Sequence, residues 1–413
     1  MKKIILLIMA VVVSAAGISC TRPLAVSVAA QPEQVSAIQG AVNDFTKKTG
    51  IKVILNSVQG TVPQAMSNIA SALDSQSSPD LVLVNIEWVQ SLAASGMLKP
   101  FEKADTAEFF QNVLAADTRE GKLVALPVTM DAGVTFYRKD AAEAYGLTKL
   151  PSTYQEISVY SRDMNKKIKS AGRSAMLNSA YYAFQGSITE QTVCNFIEAA
   201  LSNGGGIKLE NGKFIINTPQ NKKALETLKG LIASKISSTK NYELGKDEYL
   251  RAFFQQGSAF AVRGWASDIS FHSSSLSLLK GKVGVYEVPA LVKGKSYPVA
   301  GGLHVAVAAK SASAQNAFKL ADFIVSKDAQ KKMALNGGIT PARKDLYSDP
   351  EIISMRPEYA ALPAVFLKAA LRPVDSRYPK ASEIMQKYIS AALYGAYSPA
   401  EALDKCQAEI DGI

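Results

Sequence analysis

One carboxylate stands between two apolar, β-type runs of the chain. Asp131 follows the run at residues 123–128 and precedes Gly133 and a second run at residues 134–137. Loops between rigid elements are where binding and catalytic groups tend to lie. Asp131 is therefore a candidate binding or catalytic residue. The alternative is a turn or capping aspartate.

The elements that lead to this loop have the pattern of α/β units. Residues 24–28 and 51–55 predict strands, and the apolar spacing of residues 35–48 predicts a helix that ends at Gly50. A strand, helix and strand of this length imply a parallel, right-handed crossover. A further strand at residues 80–84 precedes Asn85. Ligands bind at the carboxyl ends of such strands, where Asn85 would lie.

The N-terminus has the features of an export signal. Lys2 and Lys3 precede an apolar run at residues 4–13, and small residues lead to Cys20. This run is shorter than the roughly 20 residues that a membrane span needs. We expect cleavage of residues 1–19 and lipid attachment to Cys20, as in bacterial lipoproteins, although Gly17 departs from that signal. A freely secreted protein is the alternative.

Composition excludes several classes of function. The net charge is +10, but the basic residues are dispersed, which argues against nucleic-acid binding. His272 and His304 lack metal-ligand spacing, so neither a metal nor another cofactor is expected. Cys194 and Cys406 lie in helical patterns and are expected to be buried thiols rather than a disulfide. The length favours two domains.

Several motifs together resemble one family. Residues 125–147, ALPVTMDAGVTFYRKDAAEAYGL, are similar to the crossover region of extracellular solute-binding proteins of ABC transporters, most of all to the trehalose/maltose-binding branch. The strings QGSITEQTVCNF at residues 185–196, AFAVRGW at 259–265 and LRPVDSRYP at 371–379 extend this resemblance over nearly the whole mature chain. It implies an α/β fold of two lobes, each a mostly parallel sheet flanked by helices, with a ligand cleft between them.

The resemblance also implies which residues bind ligand. Asp131 would bond sugar hydroxyls, Trp265 would stack on a sugar face, Arg372 would donate to the sugar, and Gly302 matches the pattern. Glu190 is retained, with a helix-dipole role as the alternative. For Trp265 the alternative is a core position.

The chain departs from the family pattern at several of these positions. Asn85 stands in place of an aspartate and Leu303 in place of a second stacking tryptophan, and Thr129, Thr189 and Ser267 also differ. Gln34, or else Ser36, occupies the place of a glutamate in a loose alignment. These changes predict that the chain binds a different ligand from the family, or binds its ligand weakly.

The sequence therefore predicts a monomeric binding protein, not an enzyme, that captures a small, disaccharide-like saccharide or related solute and delivers it to ABC permease subunits. It would be exported and anchored to the cell membrane. Predicted bounds are a signal at 1–19, an N-terminal lobe at 20–129 plus 285–328, and a C-terminal lobe at 130–284 plus 329–413. Residues 282–289 would return to the first lobe as a strand. Alternatives are a glycoside hydrolase with Asp131 and Glu190, and a surface sensor or adhesin.

Overall fold

The structure is a computed structural model that describes residues 22–172, 176–179, 181–243 and 247–413. The predicted signal peptide and Cys20 lie outside the described residues. None of the helices in these ranges is both long and apolar enough to cross a membrane.

Strands and helices are numbered in chain order over the described residues. The strands are β1 Leu24–Val28, β2 Val53–Ser57, β3 Leu81–Asn85, β4 Leu98–Lys99, β5 Thr118–Arg119, β6 Lys122–Leu123, β7 Leu126–Pro127, β8 Asp131–Arg138, β9 Tyr182–Ala183, β10 Lys208–Glu210, β11 Lys213–Ile215, β12 Ala261–Trp265, β13 Val283–Tyr286, β14 Ala300–Gly301 and β15 Leu303–Ala308. The helices are α1 Pro32–Thr49, α2 Val62–Asp74, α3 Val89–Ala94, α4 Leu114–Asp117, α5 Lys139–Ala144, α6 Tyr154–Ala171, α7 Glu190–Leu201, α8 Pro219–Ala233, α9 Asp247–Gln255, α10 Ile269–Ser273, α11 Ala314–Ile324, α12 Lys327–Gly337, α13 Pro350–Met355, α14 Leu362–Leu367, α15 Tyr378–Leu393 and α16 Pro399–Ile410.

The first lobe is built on a sheet with the order β2, β1, β3, β15, β4, and β7 also pairs with β15. β1 is parallel to β2 and β3, as the predicted crossover requires. Helix α1 begins with Pro32 in its first turn and ends at Gly50, whose φ of 74° suits glycine. Its apolar face packs on the sheet together with α11 and α12, while α2 and α3 pack on the opposite side.

The second lobe is built on a sheet with the order β13, β8, β12, β9, and β14 also pairs with β8. Helices α6, α7, α8, α15 and α16 supply most of its apolar core. The two-lobe α/β fold is therefore as predicted.

Both sheets are mixed, which corrects the expectation that each is mostly parallel. β15 is antiparallel to β3, β4 and β7, and β8 is antiparallel to β12, β13 and β14. Both strands follow directly on a segment paired in the other sheet, β7 before β8 and β14 before β15. Both β8 and β15 begin at the junction of the lobes. In the first sheet β15 therefore runs opposite to β1 and β3, which end at that junction.

The expected return strand was wrong. Val283–Tyr286 pairs with β8 in the second sheet, and the chain returns to the first sheet only at Leu303. Gly284 allows this pairing because a Cβ there would lie 2.3 Å from Cε1 of Tyr137. The predicted lobe bounds stay a prediction. Helix α12, which contains the predicted bound between residues 328 and 329, packs against α1 of the first lobe, where Gly337 touches Ala37.

Three chain segments lie side by side at the junction of the lobes. The backbone N–H groups of Val128 and Thr129 donate to the Leu303 carbonyl at 2.8 and 3.1 Å, and that of Met130 donates to Thr340 at 3.1 Å. Gly302 lies between, with a φ of 130°, and a Cβ there would be 2.3 Å from the Thr129 carbonyl oxygen. Only glycine fits this crossing.

Candidate functional site

Asp131 lies at the junction of the lobes, at the first residue of β8, and is almost fully buried. Its Oδ1 accepts from the N–H of Ala132 at 2.9 Å and of Ser267 at 3.1 Å, and its Oδ2 accepts from the Ser267 hydroxyl at 2.6 Å. Ser267, which differs from the family pattern, thus fixes the orientation of this carboxyl group. Burial raises the pKa of Asp131 to about 7, against the lowering effect of the Ser267 hydrogen bonds.

This raised pKa predicts a pH-dependent stability. The folded chain keeps the Asp131 proton up to about pH 7, whereas an unfolded aspartate loses it at about pH 4. Unfolding therefore releases a proton between these values, and the contribution of Asp131 to the free energy of unfolding falls as pH rises. Urea titrations at pH 5 and pH 8 should show wild type losing stability relative to Asp131→Asn. Parallel pH profiles for the two proteins would contradict the assignment.

Trp265 ends β12 beside Asp131 and is half-buried. The guanidinium of Arg263 lies over its ring, 4.2 Å from the centroid. Gly301 borders the ring, since a Cβ there would lie 3.0 Å from Cζ3 of Trp265 and 3.5 Å from Cβ of Asp131. Asp131, Trp265 and Gly301 thus form one contiguous group, and Arg263 covers one face of the ring.

Arg263 is buried and paired with an equally buried acid. Its Nε and Nη2 donate to the two oxygens of Glu198 at 3.2 and 2.6 Å, and Glu198 also accepts from the N–H of Val299 at 3.0 Å. Gly133 provides the space for this pair, because a Cβ there would lie 2.0 Å from Oε1 of Glu198 and 2.5 Å from Nη2 of Arg263.

Substituting that glycine is expected to destabilise the second lobe. Gly133→Ala would displace the buried ion pair, so we expect a loss of about 2–3 kcal/mol in the free energy of unfolding. Gly230→Ala is the matched control, because Gly230 lies in α8 and, apart from its chain neighbours and the adjacent backbone of that helix, no atom of the described residues comes within 4 Å of the position that its Cβ would take. A helical Gly→Ala change of this kind should stabilise by about 0.5–1 kcal/mol. Urea unfolding of both variants measures the difference, and equal stabilities would contradict the packing.

Arg372 connects the two lobes through a second group of buried charges. Its Nη2 donates to Oε2 of Glu87 at 2.9 Å and to the Ala300 carbonyl at 3.1 Å, and its Nη1 donates to Oε1 of Glu190 at 2.9 Å. Glu87 belongs to the first lobe, in the short 3-10 helix Ile86–Trp88 after β3, whereas Glu190 begins α7 of the second lobe. Burial raises the pKa of Glu87, and the positive charge of Arg372 opposes this.

Glu190 is held by further donors. The hydroxyl of Tyr378 donates to its Oε1 at 2.7 Å, and the hydroxyl of Ser382 bonds its Oε2. Its place in the first turn of α7 also agrees with the alternative helix-dipole role. Glu190 therefore helps to fix Arg372, and its helix-dipole role stays a prediction.

A cavity of about 240 Å³ lies beside this charged group, between α2 of the first lobe and α15 of the second. Its walls include Met66, Trp88 and Tyr378, together with Glu87 and Glu190. The volume is below the roughly 300–1,000 Å³ of typical ligand pockets. Ala300 and Gly301 connect the two groups of residues, since one accepts from Arg372 and the other touches Trp265.

The remaining predicted residues are placed differently. Leu303 is 2% exposed in the apolar core of the first lobe, and its N–H donates to the Thr129 hydroxyl at 2.8 Å. Asn85 pairs with it across β3 and β15. Gln34 turns its amide oxygen back to the N–H of Gln31 at the start of α1. The ligand roles of the eight predicted residues, namely Asp131, Trp265, Arg372, Asn85, Gly302, Leu303, Glu190 and Gln34, stay predictions.

Sequence reasoning missed three charged residues of these groups. Glu87, Glu198 and Arg263 were not singled out, although each carried a signal. Glu87 follows the carboxyl end of a strand, Glu198 lies eight residues after Glu190 in the same helix, and Arg263 shares a strand face with Trp265 two residues on.

The other residues with possible chemistry have structural roles. Cys194 and Cys406 are buried free thiols, as predicted. Nδ1 of His304 lies 2.6 Å from Oδ1 of Asp117, and both side chains are buried. Among the described residues, no group of three or more His, Cys, Asp or Glu side chains is arranged to hold a metal ion.

Comparison with known proteins identifies the relatives of this chain. It is 27% identical over 373 residues to a probable ABC transporter-binding protein of Deinococcus radiodurans, covering 89% of this chain and 87% of the relative. It is 24% identical over 320 residues to the arabinooligosaccharide-binding protein of Bacillus subtilis, covering 75% and 71% of the two chains. The structure of maltose-bound MalE3 of T. maritima has a TM-score of 0.82 at 27% identity, covering 94% of this chain and 99% of the other.

The family match covers most of the chain. Residues 40–364 match the family described as bacterial extracellular solute-binding protein. Such proteins bind solutes for ABC transporters and do not transform them, which confirms the prediction of a binding protein rather than an enzyme. The chain belongs to the bacterial extracellular solute-binding proteins.

Proposed function

We propose that this chain is the solute-binding lipoprotein of an ABC importer and that it holds a small, uncharged saccharide or polyol between its lobes. The observation that carries the proposal is the contact of Arg372 with Glu87 of one lobe and Glu190 of the other, beside a cavity walled by both. A solute in that cavity contacts both lobes, so it favours the conformation in which they are close together.

The chemistry of the walls suits a polyhydroxylated solute. At the junction, the half-buried ring of Trp265 offers aromatic surface for C–H faces of a sugar or polyol, whereas Trp88 and Tyr378 in the cavity wall are almost fully buried. Ser67 and Gln386 in the cavity wall offer groups that donate to and accept from hydroxyls. A cavity of about 240 Å³ favours a solute no larger than a disaccharide.

The charges favour an uncharged solute over an acidic one. The guanidinium of Arg372 already donates to two carboxylates and a carbonyl, so it is not free to bind a carboxylate of a solute. Of the described residues, those that wall the cavity include Glu87, Glu190 and Glu383 but no lysine or arginine. An anionic solute would therefore meet carboxylates and, in the cavity wall, no cation that is free to pair with it.

The test is a ligand screen on the purified chain beginning at Arg22. Maltose, arabino-oligosaccharides, ribitol and other neutral sugars are compared with uronic acids and peptides by thermal shift and calorimetry. A ligand at 100 times its Kd should add about 2.7 kcal/mol to the free energy of unfolding. We expect this gain in the free energy of unfolding for a neutral sugar or polyol. No shift with any solute would favour the sensor or adhesin alternative, and release of reducing sugar would indicate a hydrolase.

Lipid attachment at Cys20 would hold the chain at the membrane that contains the permease. Cys20→Ser in the full-length protein is expected to move it from the membrane fraction to the soluble exported fraction, because a diacyl anchor holds it by burial of its chains. Cell fractionation and mass measurement of the N-terminal peptide check this. An unmodified Cys20 in a membrane-free wild-type protein would contradict lipid attachment.

A further inference from the structure

One face of helix α7 holds the two buried arginines of the site. Glu190 in its first turn bonds Arg372, and Glu198, two turns later, bonds Arg263. Residues eight positions apart are separated by about 80° around a helix, so both side chains fit within one broad face. Glu190 serves the contact between the lobes, but the proposed function assigns nothing to Glu198 and Arg263, which are 2% and 1% exposed and therefore beyond the reach of a solute.

The geometry of this second pair is directed at Trp265. Arg263 and Trp265 are two residues apart on β12, so their side chains emerge on the same face of the sheet. Glu198 holds Nε and Nη2 of the guanidinium and so fixes its plane, which lies over the indole ring at 4.2 Å. Nη1 of Arg263 has no hydrogen-bond partner among the described residues. The guanidinium is thus positioned for stacking as much as for hydrogen bonding.

Gly301 borders one edge of the Trp265 ring. Gly301 leaves no space for a side chain beside Cζ3 of Trp265, and Gly133 leaves none beside the ion pair. The ring is therefore confined by Arg263 on one face and by the Gly301 backbone at its edge, while part of it stays exposed.

We propose that Glu198 and Arg263 are positioning residues for Trp265: the ion pair holds the indole ring in the orientation in which its exposed side stacks on the bound solute. The inference rests on the proposed function, in which Trp265 contacts the solute. It gives the buried ion pair a role beyond stability, since apolar side chains of similar volume often stabilise a fold equally well.

The test separates positioning from stability. The variant Glu198→Gln/Arg263→Met removes both charges together and keeps an acceptor for the N–H of Val299, so we expect it to fold with a Tm close to that of wild type. With a neutral sugar that binds wild type, we expect about tenfold weaker binding by calorimetry. The control, Arg138→Met/Asp140→Asn, removes a largely buried pair at the far end of β8 and should leave Kd unchanged.

A spectroscopic measurement reports on the ring without a ligand. In protein labelled with 5-fluorotryptophan, Trp88 and Trp265 give two 19F signals, because these are the two tryptophans of the chain. In the double variant the Trp265 signal should move towards its position in the unfolded chain, while the Trp88 signal serves as internal reference. Unchanged Trp265 signal or unchanged Kd in a folded variant would overturn the proposal. If no solute binds wild type, the proposed function fails, and the 19F signal alone decides whether the pair orients the ring.

Discussion

Replacing Arg372 by methionine is expected to lower the free energy of unfolding by about 3–5 kcal/mol, which would be the largest stability effect of a single substitution in the site. Glu87 and Glu190 are both buried, and the guanidinium between them is the cation that each contacts. Without it, two carboxylates remain in a low-dielectric environment with no positive charge between them. Urea unfolding at pH 7 measures the loss.

Two controls make this result specific. The triple variant Arg372→Met/Glu87→Gln/Glu190→Gln removes all three charges and should recover most of the lost stability. Lys387→Met, which breaks the exposed ion pair with Glu409, should change stability by less than about 1 kcal/mol. An Arg372→Met variant as stable as wild type would contradict the buried bridge between the lobes.

Truncating Trp265 is expected to have the largest effect on binding. Trp265→Ala should weaken the affinity for the solute by about 10- to 100-fold, since the variant loses roughly 1.5–3 kcal/mol of apolar burial. Trp265→Phe keeps an aromatic surface, so its affinity for the solute should fall by less than that of Trp265→Ala. Calorimetric titration with the best neutral sugar of the screen measures both.

A surface substitution provides the control for this prediction. Val159→Ala removes an apolar side chain that is 48% exposed on α6, and it should leave the Kd unchanged. If Trp265→Ala binds as tightly as wild type, Trp265 is a packing residue, which is the alternative that the sequence left open.

Local patterns predicted the fold because they report on neighbouring residues. The spacing of apolar residues and the position of Gly50 were sufficient for β1, α1 and β2. They were not sufficient for Val283–Tyr286, because a short apolar run pairs equally well with either sheet and only the tertiary structure decides between them.

The site was less predictable because its contacts join distant parts of the chain. Glu87 and Arg372 are separated by 285 positions, and no local pattern pairs them. Conversely, the motif around Leu303 matched a ligand-binding position of the family, yet β15 is buried along its whole length, so this side chain packs in the core. A motif indicates where the backbone passes, whereas side-chain orientation depends on the sheet around it.

The central claim is that the two lobes hold a solute between them. Ser71→Cys on α2 and Ser170→Cys on α6 place one spin label on each lobe at exposed positions, and Cys194 and Cys406 are buried and should not react. Electron–electron double resonance then measures the distance between lobes with and without a saturating neutral sugar. We predict a shorter and narrower distance distribution with ligand. An unchanged distribution, with binding confirmed by calorimetry on the same sample, would contradict it.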